Sequence, residues 1–189
     1  YMDVVGLSKN GIENAVANLG TSLTDKQIFT LNQFFNDIII CFDGDESGYK
    51  AALRAAENSI KEMKPEKQIS FLFLPDQEDP DSFVNKNGKE YFFDYSKQNK
   101  VSIHQFIFNH YKKNTQNNPS SMATFEKKLR SIANTIKDNY IKKYVLEYFI
   151  EKISGLTPYT IQNQKNFYTK KTRSLEKTKK HFNESQSLS

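Results

Sequence analysis

An unbroken apolar run that ends in three acidic residues constrains the fold of this chain more than any other feature. Residues 38–42 are apolar and rich in β-branched side chains, which predicts a strand buried on both faces of a parallel sheet. Asp43, Asp45 and Glu46 follow at once, and residues 51–56 have high helix propensity. The acids therefore lie on a strand-to-helix turn at the carboxyl edge of a sheet, where open α/β proteins place their chemistry.

These clustered carboxylates require a compensating positive charge. Two carboxylates about 5 Å apart repel by roughly 1 kcal/mol in water, and by several times more in a low-dielectric cleft. The stretch contains no Lys or Arg, and Lys50 is the nearest. Because Mg²⁺ usually takes one or two carboxylates plus substrate phosphates, the pattern indicates a Mg²⁺ site for phosphoryl chemistry. The alternative is a solvated turn in which Asp45 or Ser47 caps the next helix.

Two other classes of protein share this pattern of acids. An EF-hand calcium loop needs a Glu at its twelfth position and a helix before it, whereas here the twelfth residue is Arg54 and a strand precedes. That interpretation is rejected. Haloacid-dehalogenase phosphatases also have an apolar strand that ends in Asp-x-Asp, with the first Asp as a nucleophile on phosphate. These phosphatases usually have Thr or Val near the position of Ser47. A phosphatase of this kind remains the alternative to the Mg²⁺ site.

A second strand and a second acidic turn follow along the chain. Residues 68–74 predict the strand, and the turn after it contains Asp79 and Asp81. Alternating strands and helices predict a parallel α/β sheet, so both turns lie at the same edge. By itself the second turn indicates a helix N-cap around Asp81. Beside the first turn it predicts a shared metal site with Asp43 and Asp45.

Three shorter elements are predicted before the acidic stretch. A helix over residues 2–8 ends near Gly11, because the Asn-Gly pair favours a left-handed stop. Residues 12–19 indicate a short strand. Thr24 opens the next helix, with Gln27 completing a capping box.

The pattern changes after the sheet. From about residue 103 the apolar side chains recur every three or four residues, which predicts a small helical bundle. Beyond about residue 160 the chain is polar and has no period. Basic residues concentrated between 164 and 180 leave the rest nearly neutral, although the whole chain has a net charge of +5. This segment suits either phosphate contacts with nucleic acid or a solvated linker.

Composition excludes several classes of protein. With 37% hydrophobic and 26% charged residues the chain suits a water-soluble core, and no apolar run approaches the ~20 residues of a membrane span. The N-terminus does not have the pattern of a signal peptide. Cys41 is the only cysteine, so no internal disulfide forms, and a small core residue is the expected role.

Four blocks of sequence resemble one family in their order and spacing. They are Tyr-Met-Asp-Val-Val at residues 1–5, Asn-Ala-Val-Ala-Asn-Leu-Gly-Thr at 14–21, Phe-Asp-Gly-Asp at 42–45, and residues 73–81. Together they resemble the Toprim part of bacterial DnaG-type DNA primases over roughly residues 1–153. The resemblance implies a Toprim-like α/β parallel sheet with flanking helices (1–98), a small all-α helical subdomain (99–160) and a disordered basic tail (161–189).

The resemblance also implies an activity, namely synthesis of short RNA primers on single-stranded DNA from nucleoside triphosphates. It assigns Asp43 and Asp45 as catalytic metal ligands, with Asp79 and Asp81 as further acids. Mg²⁺ is the expected metal, and Mn²⁺ is expected to substitute. Paired metal ions neutralise charge in nucleotidyl transfer without a protein nucleophile, unlike the phosphatase. The implied setting is the cytoplasmic replisome, with a replicative helicase as partner and no membrane.

The chain also departs from the family pattern. The family's catalytic Glu belongs two residues before Tyr1, so it and the first strand fall outside the chain. A zinc-binding domain, a basic template-gripping subdomain and a helicase-binding domain fall outside it too. We therefore expect this stretch alone to make no primers. Another Toprim enzyme (a topoisomerase or nuclease) and a non-enzymatic scaffold remain open as alternatives.

Overall fold

The computed structural model describes residues 1–18 and 23–156. Its elements in chain order are α1 (Met2–Lys9), α2 (Asp25–Phe34), β1 (Asp37–Gly44), α3 (Glu46–Ser59), a short 3-10 helix (Ile60–Glu62), β2 (Gln68–Asp76), α4 (Pro80–Asn87), α5 (Lys89–Asn99), β3 (Val101–Ser102), α6 (Ile103–Lys113), α7 (Pro119–Asn134) and α8 (Asn139–Ser154). None of these helices combines the length and the apolar character needed to cross a bilayer.

The chain divides into two units, Tyr1–Phe149 and Ile150–Ser189. The first contains the whole sheet and helices α1 to α7. Of the second, only the last turn of α8 and the residues to Leu156 are described. The boundary at residue 98 stays a prediction, and the basic tail 161–189 lies outside the described residues.

Within residues 1–18 and 23–156 the sheet has three strands, in the order β1-β2-β3. β1 and β2 are parallel, with Asp37 opposite Gln68 and Phe42 opposite Phe73, as the alternation of strand and helix predicted. The two-residue β3 adds an antiparallel edge that the sequence did not indicate. The sheet therefore matches the predicted α/β class and is mixed at one edge. The carboxyl ends of β1 and β2 therefore lie at the same edge of the sheet, which we call the rim.

The two long strands differ in how deeply their side chains are buried. Phe71 and Leu72 of β2 are at most 1% exposed, whereas Ile39 of β1 is 41% exposed. The prediction that residues 38–42 are buried on both faces is therefore wrong. β1 is an edge strand, and no described strand pairs with its outer side. Side chains along an unpaired edge keep access to solvent.

The segment after α1 also differs from the prediction, because residues 12–18 form no strand. Ile12 donates its backbone N–H to Leu7 O (2.9 Å), and its side chain is only 4% exposed in a cluster that includes Leu7 and Phe83. Val16, by contrast, is 75% exposed. Ile12 and the half-buried Ala15 face this core. They are three residues apart, so the alternation of period two that a half-buried strand needs is missing. Residue 19 lies outside the described ranges.

Capping and stop residues in the sequence predicted the ends of the first helices correctly. α1 ends at Lys9 with Asn10 as its C-cap, and Gly11 has a φ of +77°, as the Asn-Gly pair predicted. Thr24 and Gln27 form the predicted capping box at the start of α2. In α3, Ala52, Ala55 and Ala56 are buried, so the helix lies close to the sheet. That close approach holds the first turn of α3 at the sheet rim.

The predicted helical bundle forms after β3. Phe108 of α6 stacks on Phe149 of α8 with ring centroids 6.5 Å apart, and it meets Phe125 of α7 edge-on at 5.4 Å. Leu129 and Ile132 of α7 are also buried. The opposite face of α6 contacts the sheet through Phe106, which stacks on Phe73 of β2. Through α6 the bundle therefore reaches the carboxyl edge of the sheet.

Candidate active site

The two acidic turns lie against each other at the carboxyl edge of the sheet. Gly44, opposite Asp76 in the register, donates its backbone N–H to Glu78 O at 3.3 Å. A Cβ added to Gly44 would lie 1.9 Å from Pro75 O, a distance that real side chains do not adopt. Only glycine allows this approach of the two backbones. The sequence prediction that both turns share one edge is confirmed.

Asp43, at the end of β1, is the carboxylate around which the others gather. Partial burial raises its pKa above the ordinary value, and the carboxylates of Asp3, Asp45 and Asp79 raise the pKa further. Every charged group that shifts this pKa is therefore another acid. The acids come from three places, namely α1, the first acidic turn and the start of α4. Their mutual repulsion is what a bound cation would relieve.

Asp45 serves as the N-cap of α3. Its Oδ1 accepts a hydrogen bond from the backbone N–H of Gly48 at 2.6 Å, which is the capping alternative that the sequence left open. A carboxylate has two oxygens, and capping uses only one of them here. The cap fixes the orientation of the side chain. Capping and metal binding by Asp45 are therefore compatible.

The two aspartates of the second acidic turn, Asp79 and Asp81, have different partners. Asp79 caps α4 by accepting from the Ser82 backbone N–H at 2.7 Å. Asp81 instead accepts from Asn85 Nδ2 at 2.8 Å, and its Oδ1 lies where a Cβ of Gly6 would stand. Asp81 thus faces α1, whereas Asp79 acts on Asp43. The four-ligand set of Asp43, Asp45, Asp79 and Asp81 stays a prediction.

Sequence reasoning missed Asp3 as a member of this cluster. The residue lies in the first turn of α1, and it raises the pKa values of both Asp43 and Cys41. The only sequence signal was its place in the first of the four blocks that resemble a known family. Helix α1 packs on α4 beside the sheet edge, and this packing rather than sequence spacing brings Asp3 near Asp43.

The carboxylates do not form a closed metal cage by themselves. In residues 1–18 and 23–156 there is no group of three or more His, Cys, Asp or Glu side chains arranged to hold a metal ion. Mg²⁺ does not require one, since it is commonly bound through one or two carboxylates, with water and substrate phosphates completing its octahedron. The hard, anionic oxygens at this rim fit that mode of binding.

A cleft of about 750 Å³ opens beside the acidic rim. Its volume is within the range of ligand pockets, roughly 300–1,000 Å³. The first acidic turn and Asp76 line one wall, and Asn109, Lys112 and Lys113 of α6 line another. Asp79 and Asp81 do not line it. Sequence reasoning missed the α6 residues, because no spacing or motif connects them with residues 43–46.

Aromatic rings form the apolar part of the cleft. Tyr49 packs edge-on against Phe106 with centroids 5.3 Å apart, and its hydroxyl lies 3.0 Å from Nδ1 of His110. Burial lowers the pKa of His110, so its ring is neutral at pH 7. Of the residues that line this wall, Lys112 and Lys113 therefore supply the positive charge.

Cys41 has the structural role that its position predicted. Burial, and then the carboxylates of Asp43 and Asp3, raise the pKa of its thiol to about 12. A thiol with so high a pKa is protonated at neutral pH and is a poor nucleophile. Cys41 packs against the core cluster that includes Leu74 and Phe83.

Comparisons with known proteins agree with the geometry. A family model described as the Toprim domain matches residues 1–73. A DNA primase from Pasteurella multocida (strain Pm70) is 45% identical over 108 residues, which are 57% of this chain and 18% of that protein. The chain thus spans less than a fifth of this relative's length.

Solved structures match a larger part of the chain. The structure of the DnaG catalytic core has a TM-score of 0.78 and 35% identity, covering 82% of this chain and 50% of that one. The DnaG primase catalytic domain bound to single-stranded DNA has a TM-score of 0.75 and 35% identity, covering 80% and 49%.

These findings do not favour the phosphatase alternative or another Toprim enzyme. Toprim domains and primases generally bind divalent metals. The matches in sequence and in structure show that this chain belongs to the bacterial DnaG-type DNA primases and contains part of their catalytic core.

Proposed function

We propose that the acidic rim binds Mg²⁺, or Mn²⁺ in its place, and serves nucleotidyl transfer in RNA primer synthesis. Asp43 and Asp45 are the ligands, and the carboxylates of Asp3 and Asp79 add negative charge around them. The observation that supports this is the convergence of Asp3, Asp45 and Asp79 on Asp43 beside a cleft of about 750 Å³. Asp81 acts indirectly, by joining α4 to α1 next to Gly6.

Each residue of this site is held by backbone structure. Asp43 ends β1, the Asp45 carboxylate is fixed by the Gly48 N–H, and Asp79 is fixed by the Ser82 N–H. A bound divalent cation neutralises developing charge on phosphoryl oxygens. Side chains held at the ends of strands and helices meet that cation without reorganisation, which is the requirement for an effective site. No side chain has to act as a nucleophile.

The proposed substrates and partners extend the likeness to DnaG-type primases. One related primase domain was solved bound to single-stranded DNA. We propose single-stranded DNA as template, nucleoside triphosphates as substrates, and a replicative helicase as a partner that binds outside the described residues. The proposed location is the cytoplasmic replisome. Zinc belongs to a separate domain of the family.

The metal site is tested by thermal and chemical unfolding with increasing Mg²⁺ or Mn²⁺. A cation at about 100 times its dissociation constant adds roughly 2.7 kcal/mol to the free energy of unfolding. We expect the Asp43→Asn/Asp45→Asn double variant to lose that gain. The matched control is Glu90→Gln/Asp94→Asn, which removes two exposed carboxylates from α5. Equal stabilisation of both double variants by the metal would remove the site from this rim.

Primer synthesis by this chain alone provides a second test. The family's catalytic Glu and the template-gripping subdomain fall outside the sequence. We therefore expect no RNA product from single-stranded template, nucleoside triphosphates and Mg²⁺, while a catalytic core with both parts serves as the positive control. Robust product from the chain itself would show that residues 1–189 are sufficient for catalysis.

A further inference from the structure

Two adjacent lysines at the end of α6 face the cleft across from the acids. Lys112 and Lys113 are exposed and line the same cleft as Asp43 and Asp45. The Lys113 ammonium lies 5.5 Å from the centroid of the Tyr49 ring, which also lines the cleft. Asn109, one turn earlier, lines the same wall. The cleft therefore has an anionic wall and a cationic wall.

The two walls do not neutralise each other. Within the described ranges neither lysine forms a salt bridge, and Glu46 on the acidic wall pairs with Lys50 of its own helix at 2.6 Å. Cations in the last turn of a helix are favoured by its dipole. That explains basic residues at this end of α6, but not why both project into a space large enough for a ligand.

A ligand that meets both walls must be anionic and must also bind metal. A chain of phosphates has both properties, since its oxygens bridge to a divalent cation at one end and accept from ammonium groups at the other. Half-buried Tyr49 between the walls offers an aromatic surface for a base. We propose that Lys112 and Lys113 hold the phosphate groups of a nucleoside triphosphate across the cleft from Asp43 and Asp45. This inference rests on the function proposed above.

Binding of a fluorescently labelled ATP in Mg²⁺ buffer tests the proposal. Because hydrogen bonds to charged groups are individually strong, we expect Lys112→Gln/Lys113→Gln to weaken binding about tenfold or more. The charge-preserving Lys112→Arg/Lys113→Arg variant should bind within about threefold of the original, since Arg also pairs with phosphate. The matched control is Lys142→Gln/Lys143→Gln, two adjacent lysines of α8 that do not line the cleft. Circular dichroism confirms that each variant folds.

Two further measurements separate the possible outcomes. Mg²⁺ stabilisation without nucleotide should be the same in the original chain and the α6 double variant. Its absence from both would count against the proposed metal site rather than the lysines. Equal nucleotide binding by the α6 and α8 double variants, or no binding by the original chain, would overturn the lysine proposal. The proposal would also be overturned if the α6 double variant lost affinity for a single-stranded oligonucleotide but not for ATP. The lysines would then bind the phosphates of a polynucleotide.

Discussion

At the scale of single residues, the negative charge of Asp43 is unfavourable in the folded protein. Partial burial raises its pKa above 3.8, and the carboxylates of Asp3, Asp45 and Asp79 raise it further. A carboxyl group with a higher pKa in the folded state binds more protons folded than unfolded. Stability therefore falls as the pH rises from the unfolded pKa through the folded pKa. Groups with pKa values perturbed in this way cluster at functional sites.

Because the charge of Asp43 lowers stability at neutral pH, removing that charge in Asp43→Asn should raise stability in metal-free buffer. Near pH 7 the variant should be more stable than the original chain, by up to about 1 kcal/mol because solvent screens an exposed carboxylate. Below about pH 3 the difference should vanish, since the original carboxyl is then largely protonated in both states. Urea denaturation at the two pH values measures it. An Asp43→Asn variant that is less stable than the original chain at pH 7 would contradict this prediction, because the folded protein would then favour the charged carboxylate.

At the scale of elements, each acidic turn both starts a helix and presents a carboxylate. Asp45 caps α3 and Asp79 caps α4, so the charge at the rim is coupled to the stability of the helices behind it. A negative side chain at a helix N-terminus is also favoured by the dipole. This explains how a fold tolerates clustered acids without a bound metal.

Two substitutions at Asp45 distinguish its role as the N-cap of α3 from its proposed role as a metal ligand. Asp45→Asn keeps a capping oxygen, so the free energy of unfolding without metal should change little, while Mg²⁺ stabilisation should fall. Asp45→Ala removes the cap as well, at a cost of about 1 kcal/mol with or without Mg²⁺. Denaturant unfolding with and without the metal provides both numbers. If Asn and Ala lowered metal-free stability equally, the hydrogen bond to Gly48 would contribute nothing measurable.

At the scale of the whole molecule, a buried acid connects the sheet layer to the helical bundle. Glu62, only 6% exposed, accepts a hydrogen bond from the Lys137 ammonium in the α7–α8 connection. The Lys137 backbone N–H donates to Lys61 O at 3.2 Å beside it. These contacts help to set where α6, and with it the cationic wall of the cleft, lies against the sheet.

We expect Lys137→Ala to destabilise the protein by about 1–2 kcal/mol, because it leaves the Glu62 carboxylate buried without its partner. Lys137→Arg should retain most of the stability. Lys97→Ala, which breaks an exposed pair with Asp94 on α5, should change the free energy of unfolding by less than about 0.5 kcal/mol. Urea unfolding compares the three variants. A Lys137→Ala variant as stable as the original would mean that apolar packing alone joins the layers.

Much of this structure follows from short stretches of sequence. The helix starts at Thr24 and Asp45 and the stop at Gly11 each depend on a few neighbouring residues. The parallel pairing of β1 with β2 follows from the alternation of strand, helix and strand along the chain. The strand predicted for 12–19 does not form over residues 12–18, because a local sequence pattern says nothing about whether a partner strand lies beside the segment. β1 proved half-exposed for the same reason, since burial depends on what packs against a strand.

By itself the sequence determined the class of fold, the family and the pair of acidic turns at one sheet edge, because capping, helix propensity and hydrophobic period act over a few residues. Only the tertiary structure decided that Asp3 joins Asp43, that Asp81 turns toward Gly6, and that the lysines of α6 face the acids across a cleft. These groups lie far apart along the chain. Their meeting depends on how helices pack on the sheet, which no local pattern encodes.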